Sequence, residues 1–116
     1  MLTKTLSGCR KFVAVDTAVL RETLRPSKGV KIRYSLAHAT VKPRRKTQPH
    51  KLKVAEVYYI LEGTGKMHIG KETSRVRKGD TIYIPPRKTQ WIENTGRKTL
   101  KFLCIVDPAW VPACEL

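Results

Sequence analysis

Acidic residues are scarce in this chain. Nine Asp and Glu stand against 24 Lys and Arg in 116 residues, for a formal charge of +15. That imbalance draws polyanions and steers anionic ligands, but it carries no information about fold. Asn, Gln and Met are scarcer still, at one, two and two. A shortage of thermolabile residues is a thermophile trait, although the glutamate enrichment that usually goes with it is missing. Three cysteines (Cys9, Cys104 and Cys114) make an odd count without C-x-x-C spacing. They indicate neither a disulfide framework nor a zinc knuckle, and they suit the reduced thiols of a cytoplasmic protein. Long apolar runs are missing as well, and none approaches the ~20 residues of a membrane span. The patch Phe12-Val13-Ala14-Val15 is cut at once by Asp16, which argues against a secretory signal. Leu6-Ser7-Gly8-Cys9 looks like a lipoprotein cleavage box, but the five residues before it include Lys4 and no apolar segment.

What is present reads as strands and turns. Residues 11–15, 30–41, 55–62, 65–70, 73–77, 80–84, 90–94 and 99–106 are rich in Val, Ile, Tyr and Leu. Turn chemistry separates them at Gly63-Thr64-Gly65, Gly70-Lys71, Lys78-Gly79-Asp80, Pro85-Pro86 and Asn94-Thr95-Gly96. Short strands with glycine turns at such spacing predict an antiparallel all-β sandwich or barrel. One helical stretch is predicted over 16–24, where Asp16 is placed to cap a turn or two before Pro26. The length suits one compact domain. Residues 1–29 hold an N-terminal strand and that turn, 30–107 the barrel core, and 108–116 a C-terminal tail. Residues 42–53, KPRRKTQPHKLK, contain six basic and no acidic side chains, and their two prolines keep the segment out of a central strand.

Chemistry concentrates in two stretches. The first, PHKLKVAEVYYILEG over 49–63, carries His50, Leu52 and Glu56 at even positions, which face one side of an extended strand. The second, GDTIYIPPRKTQWIEN, runs from Gly79 to Asn94. Together they resemble the two motifs of the cupin superfamily, of the small conserved-barrel type. The first cupin motif has two histidines one residue apart, then a glutamate, then a glycine; the second runs from glycine through proline to a third histidine and an asparagine. His50, Glu56, Gly63, Gly79, Pro85 and Asn94 match these positions across residues 50–94. The resemblance implies a double-stranded β-helix, or jelly roll, whose inward side chains hold a divalent metal. It also implies a homodimer, in which strand 11–15 can take part.

The departures fall on the metal site. Leu52 stands at the second histidine, Gln90 at the third, and Arg87 at a usual glycine. The implied ligand set therefore shrinks to His50, Glu56 and Gln90. Imidazole and carboxylate suit Zn, Fe, Mn, Ni or Cu, whereas a neutral amide oxygen is a weak ligand. Two readings stand open. In one, a weakened site holds metal with water completing the shell. In the other, the site is vestigial and Glu56 and Gln90 hydrogen-bond to each other or to an organic ligand.

Parity places the other candidates. Tyr58 and Ile60 continue the face of Glu56, so Tyr58 lines the cavity, as a structural hydroxyl or as a proton donor beside Glu56. Tyr59 and Trp91 point away. Met67 and Ile69 form the core-facing pair around an exposed His68, while either face of the strand bearing His38 suits the interior. Cys104 reads as a buried, inert thiol, and Trp110 as an anchor for the tail. The basic segments 42–53 and 87–88 are expected to flank the barrel mouth, where they either draw in a small anion such as a carboxylate or phosphate or form an ordinary solvated basic surface. Nucleic acid is disfavoured, because 42–53 lacks stacking aromatics. The functional expectation is a small cupin that either performs metal-dependent chemistry (oxygenation, isomerisation or decarboxylation, with Glu56 and Tyr58 handling protons) or binds a small molecule without catalysis.

Overall fold

A computed structural model describes all 116 residues. Nine strands form: β1 (Lys11–Val13), β2 (Val19–Leu24), β3 (Ser35–Val41), β4 (Ala55–Glu62), β5 (Thr64–Ile69), β6 (Glu72–Arg77), β7 (Thr81–Ile84), β8 (Gln90–Asn94) and β9 (Leu100–Asp107). They build a six-stranded sheet, β1-β2-β3-β9-β4-β7, facing a three-stranded sheet, β6-β5-β8. Every strand pair is antiparallel. The only helices are single 3-10 turns at Leu6–Gly8 and Pro112–Cys114. No helix is long and apolar enough to cross a membrane.

Period-2 alternation decides which side chains turn inward. On β4 these are Glu56, Tyr58 and Ile60; on β9, Leu100, Phe102, Cys104 and Val106; on β8, Gln90, Ile92 and Asn94. Ile60, Ile92, Leu100 and Phe102 are at most 1% exposed, and each such side chain contributes roughly 2 kcal/mol. Met67 belongs to this core as its parity predicts, with Ile69 packed against it. The inward face of β3 is different in size. Ser35, Ala37 and Ala39 are too small to fill the space between the sheets, and a cavity of about 310 Å³ remains beside them.

Two sequence expectations need correcting. No helix forms over 16–24; these residues make a tight turn and then β2. Ala18 N–H donates to Asp16 Oδ1 at 3.1 Å, so Asp16 closes a local turn instead of capping a helix. Thr17 sits there at φ 74, an uncommon conformation for a β-branched residue. Pairing of β2 with both β1 and β3 then outweighs the weak helical propensity. The strand foreseen over 30–41 begins only at Ser35, after a Ser27–Val30 bridge. Residues 42–53 stay outside the named strands, as their prolines predict, and make only isolated bridges. Their middle runs beside β8, with main-chain links from Asn94 to Arg45, Thr47 to Ile92 and His50 to Gln90.

Candidate ligand cavity

The cavity lies between the small-residue face of β3, the inward side chains of β4 and β9, and a cover supplied by residues 10–16 and 108–116. Fourteen of its 21 lining residues are hydrophobic. Its polar groups form two clusters.

The first cluster is a hydrogen-bonded chain. Tyr58 Oη donates to Gln90 Oε1 at 3.0 Å, and Gln90 Nε2 donates to Glu56 Oε1 at 2.6 Å. All three side chains are buried, and Gln90 is 1% exposed. Glu56 and Tyr58 line the cavity, whereas Gln90 stands behind them. Burial raises the Glu56 pKa to about 7, against the lowering influence of the Gln90 hydrogen bond and the His50 charge. Burial also holds the Tyr58 hydroxyl and the Cys104 thiol far above their ordinary values. Cys104 does face the cavity, opposite Tyr58 in the β4–β9 ladder, but it stays a neutral thiol with no nucleophilic character.

The second cluster centres on His50. Its Nδ1 lies 3.0 Å from Glu115 Oε1, and its Nε2 lies 3.2 Å from Asp16 Oδ2. The Asp16 contact is a charge contact without an aligned hydrogen bond. Burial alone would lower the His50 pKa; the two carboxylates overcome it and raise the value to about 9. His50 is therefore an imidazolium at neutral pH, and Glu115 accepts a hydrogen bond from it. Trp110 Nε1 donates to the other Glu115 oxygen, Oε2, at 2.8 Å. The Asp16 end is set by the strained turn at Thr17 and by Gln48 N–H, which donates to the Asp16 carbonyl at 2.7 Å. On the other side, main-chain bonds from Lys53 to Cys114 and from Leu116 to Lys51 pin the segment that carries Glu115.

A divalent metal on His50, Glu56 and Gln90 is what the family resemblance implies, and the structure does bring these residues into one region. His50 and Gln90 pair through their backbones, and Gln90 joins Glu56. The donor set nevertheless does not fit a metal. Both ring nitrogens of His50 are already taken up by carboxylates, those of Asp16 and Glu115. The Gln90 oxygen accepts from Tyr58 and lies outside the cavity lining. Asp16 and Glu115 converge on His50 as an ion pair, and no group of three or more His, Cys, Asp or Glu side chains is arranged to hold a metal ion.

The remaining candidates sort by face. Tyr59 points outward as expected, and His38 also lies on the outer face of its sheet. His68 faces out but is better covered than expected. Its ring stacks on Trp91 at 4.2 Å, its Nε2 meets Glu93 at 2.8 Å, and Thr73 reaches Nδ1 at 3.1 Å. Trp110 anchors its segment as foreseen, through Ser35 and Arg25. The basic segments do not ring the cavity. Lys42, Arg45 and Lys46 border a separate surface cleft with Lys11, because their stretch begins at the Asn94 end of β8. Arg87 and Lys88 are exposed and line nothing in the cavity. Arg10 and His50 are its only basic lining residues, against Asp16, Glu22, Glu56 and Glu115. Asp16 and Glu115 escape sequence reasoning, since they sit 34 and 65 positions from His50 and belong to no motif.

Known proteins bear on this geometry. A protein of Methanocaldococcus jannaschii, itself uncharacterised, is 45% identical over 104 residues, covering 87% of this chain and 82% of that one. The oxalate-binding protein of Thermotoga maritima is 35% identical over 51 residues, 44% of this chain and 42% of the relative. A Cupin 2 conserved barrel domain protein from Salinispora arenicola superposes with a TM-score of 0.80 at 16% identity, over 97% of this chain and 91% of that one. The cupin domain family matches residues 37–106, which span β3 to β9 and carry both motifs, and the chain belongs to that family.

Proposed function

We propose that this protein is a non-catalytic cupin that binds a small organic acid, with the Glu56 carboxyl as its polar anchor and the apolar cavity around the rest of the molecule. The observation that carries this reading is the buried Tyr58–Gln90–Glu56 chain, which presents the Glu56 carboxyl to a cavity with a mainly hydrophobic lining. A carboxyl titrating near 7 donates a hydrogen bond when protonated, so it can share a proton with a ligand carboxylate. Glu56 can exchange a proton near neutral pH, whereas Tyr58 keeps its proton and holds Gln90 in place. Resemblance over 51 residues to an oxalate-binding protein supports a small anion as the ligand.

The test is calorimetric titration with carboxylic acids of increasing apolar length at pH 6. Saturable binding that rises with chain length and is lost in Glu56→Leu is expected; binding indifferent to that substitution would overturn the reading.

Assembly is part of the proposal. The outer face of β7, β4 and β9 carries Tyr83, Val57, Tyr59, Leu103 and Ile105 as cross-strand neighbours, with Tyr59 41% and Tyr83 61% exposed. An aromatic and aliphatic stripe of this kind suits a symmetric pairing of two copies. Three free cysteines support a reducing, cytoplasmic setting.

A further inference from the structure

The cavity already contains a carboxylate, and it belongs to the chain itself. Glu115 reaches in from the 108–116 segment with its side chain 17% exposed, and each oxygen meets its own N–H donor: His50 Nδ1 at 3.0 Å and Trp110 Nε1 at 2.8 Å. Two donors converging on the two oxygens of one carboxylate make a bidentate site, one of them charge-assisted. All three residues line the same cavity, so free space adjoins the site. The backbone beneath Glu115 is held independently of its side chain. Cys114 packs against Leu52 and Val106, and main-chain bonds fix the segment at Lys51 and Lys53. Asp16 still faces His50 on the other side, so removing the Glu115 carboxylate does not strand the imidazolium.

We propose that His50 and Trp110 form a carboxylate subsite that Glu115 fills as an internal stand-in, and that an incoming organic carboxylate displaces it. This rests on the reading of the cavity as a small-acid site and names where the ligand's carboxylate goes. In a ligand with two acid groups, one carboxylate takes this subsite and the other shares a proton with Glu56. No bond is made or broken; one carboxylate exchanges for another. A site closed by its own side chain nine-tenths of the time has its apparent affinity for a competitor lowered about tenfold.

Propionate is the probe, and the readout is the Trp110 indole N–H resonance in a Trp91→Phe background. In Glu115→Ala, propionate should shift that resonance saturably and about tenfold more tightly than in the unsubstituted chain, and should raise the melting temperature. His50→Gln should abolish the effect. Glu115→Gln, which keeps length and one acceptor, replaces Glu115→Ala if the latter loses its fold, with a smaller gain. A folded Glu115→Ala or Glu115→Gln protein whose Trp110 resonance ignores propionate overturns the proposal. If unsubstituted protein binds longer acids through Glu56 while Glu115→Ala changes nothing, the subsite fails and the small-acid reading stands. Should Glu115→Ala bind propionate while no longer acid binds the unsubstituted chain, the subsite stands and the small-acid reading fails.

Discussion

Gln90 donates its side-chain amide to Glu56 at 2.6 Å across the β8–β4 gap, in the position where the family resemblance implies a metal-binding histidine. An amide at that position both accepts from Tyr58 and donates to Glu56, a pairing that no apolar substitute reproduces. Gln90→Leu leaves a buried hydroxyl and a buried carboxyl without partners. It should cost about 2–4 kcal/mol, read by urea denaturation at pH 7, with Glu56→Gln far milder.

Glu56 and His50 give stability a common pH trend. Glu56 has a folded pKa of about 7 against 4.5 as a free group. Between those values the native state holds a proton that the unfolded chain has released, so stability falls as pH rises from about 4.5 to 7. His50, raised from 6.5 to about 9, behaves alike: its contribution is full below 6.5 and is lost as pH climbs to about 9. Denaturant midpoints at pH 5, 7 and 9 should fall in that order. Glu56→Gln should flatten the lower limb, and His50→Gln the upper one.

His50 is the only cation set between Asp16 and Glu115. Replacing it by Ala leaves two inward carboxylates without a counter-charge and should cost about 3–5 kcal/mol at pH 7. Because the two carboxylates come from opposite ends of the chain, limited proteolysis should show residues 10–16 and 108–116 loosening together.

Asn94 fastens the far end of the barrel. Its Nδ2 donates to the Val41 and Lys98 carbonyls at 2.9 and 2.8 Å, and its Oδ1 accepts from Gly96 N–H at 2.9 Å. Asn94→Ala should destabilise the fold by about 3 kcal/mol in thermal or chemical unfolding, without altering ligand affinity.

Arg87 holds a left-handed conformation at φ 67 while its N–H donates to Leu52 at 2.7 Å. Glycine adopts that geometry freely, at the cost of a more flexible unfolded chain. Arg87→Gly should therefore stabilise by about 0.5–1 kcal/mol, seen as a higher melting temperature.

The barrel was legible because its signals are local. Alternation put Glu56, Tyr58 and Ile60 on one face, and turn glycines such as Gly63 and Gly79 sit at φ 91 and 92, where side chains are strained. Arg87 holds a positive φ at the position where the family resemblance implies a glycine. The family resemblance also singled out Glu56 and Gln90, and the reading in which they hydrogen-bond to each other matches the geometry. The partners of His50 were not legible. Asp16 reads as a helix cap, and its true orientation depends on a turn that forms only because β2 pairs with β1 and β3. Glu115 lies in a segment with no periodic pattern, positioned by contacts with Leu52, Lys51 and Ser35-bound Trp110. Long-range pairing of this kind leaves no trace in spacing. The fate of the basic segment was hidden for the same reason: its charge is plain, but its course along β8 depends on main-chain bonds to Ile92 and Asn94.

Metal titration tests the central claim most directly, since the account holds that an internal ion pair and a hydrogen-bonded chain take the place of a metal centre. Protein purified without chelator should be analysed for elements, stripped, and titrated calorimetrically with Mn, Ni and Zn ions at pH 7. The account predicts less than one metal per chain and no saturable uptake in the micromolar range. One equivalent held at micromolar affinity, and lost together in His50→Ala and Glu56→Gln, would contradict it.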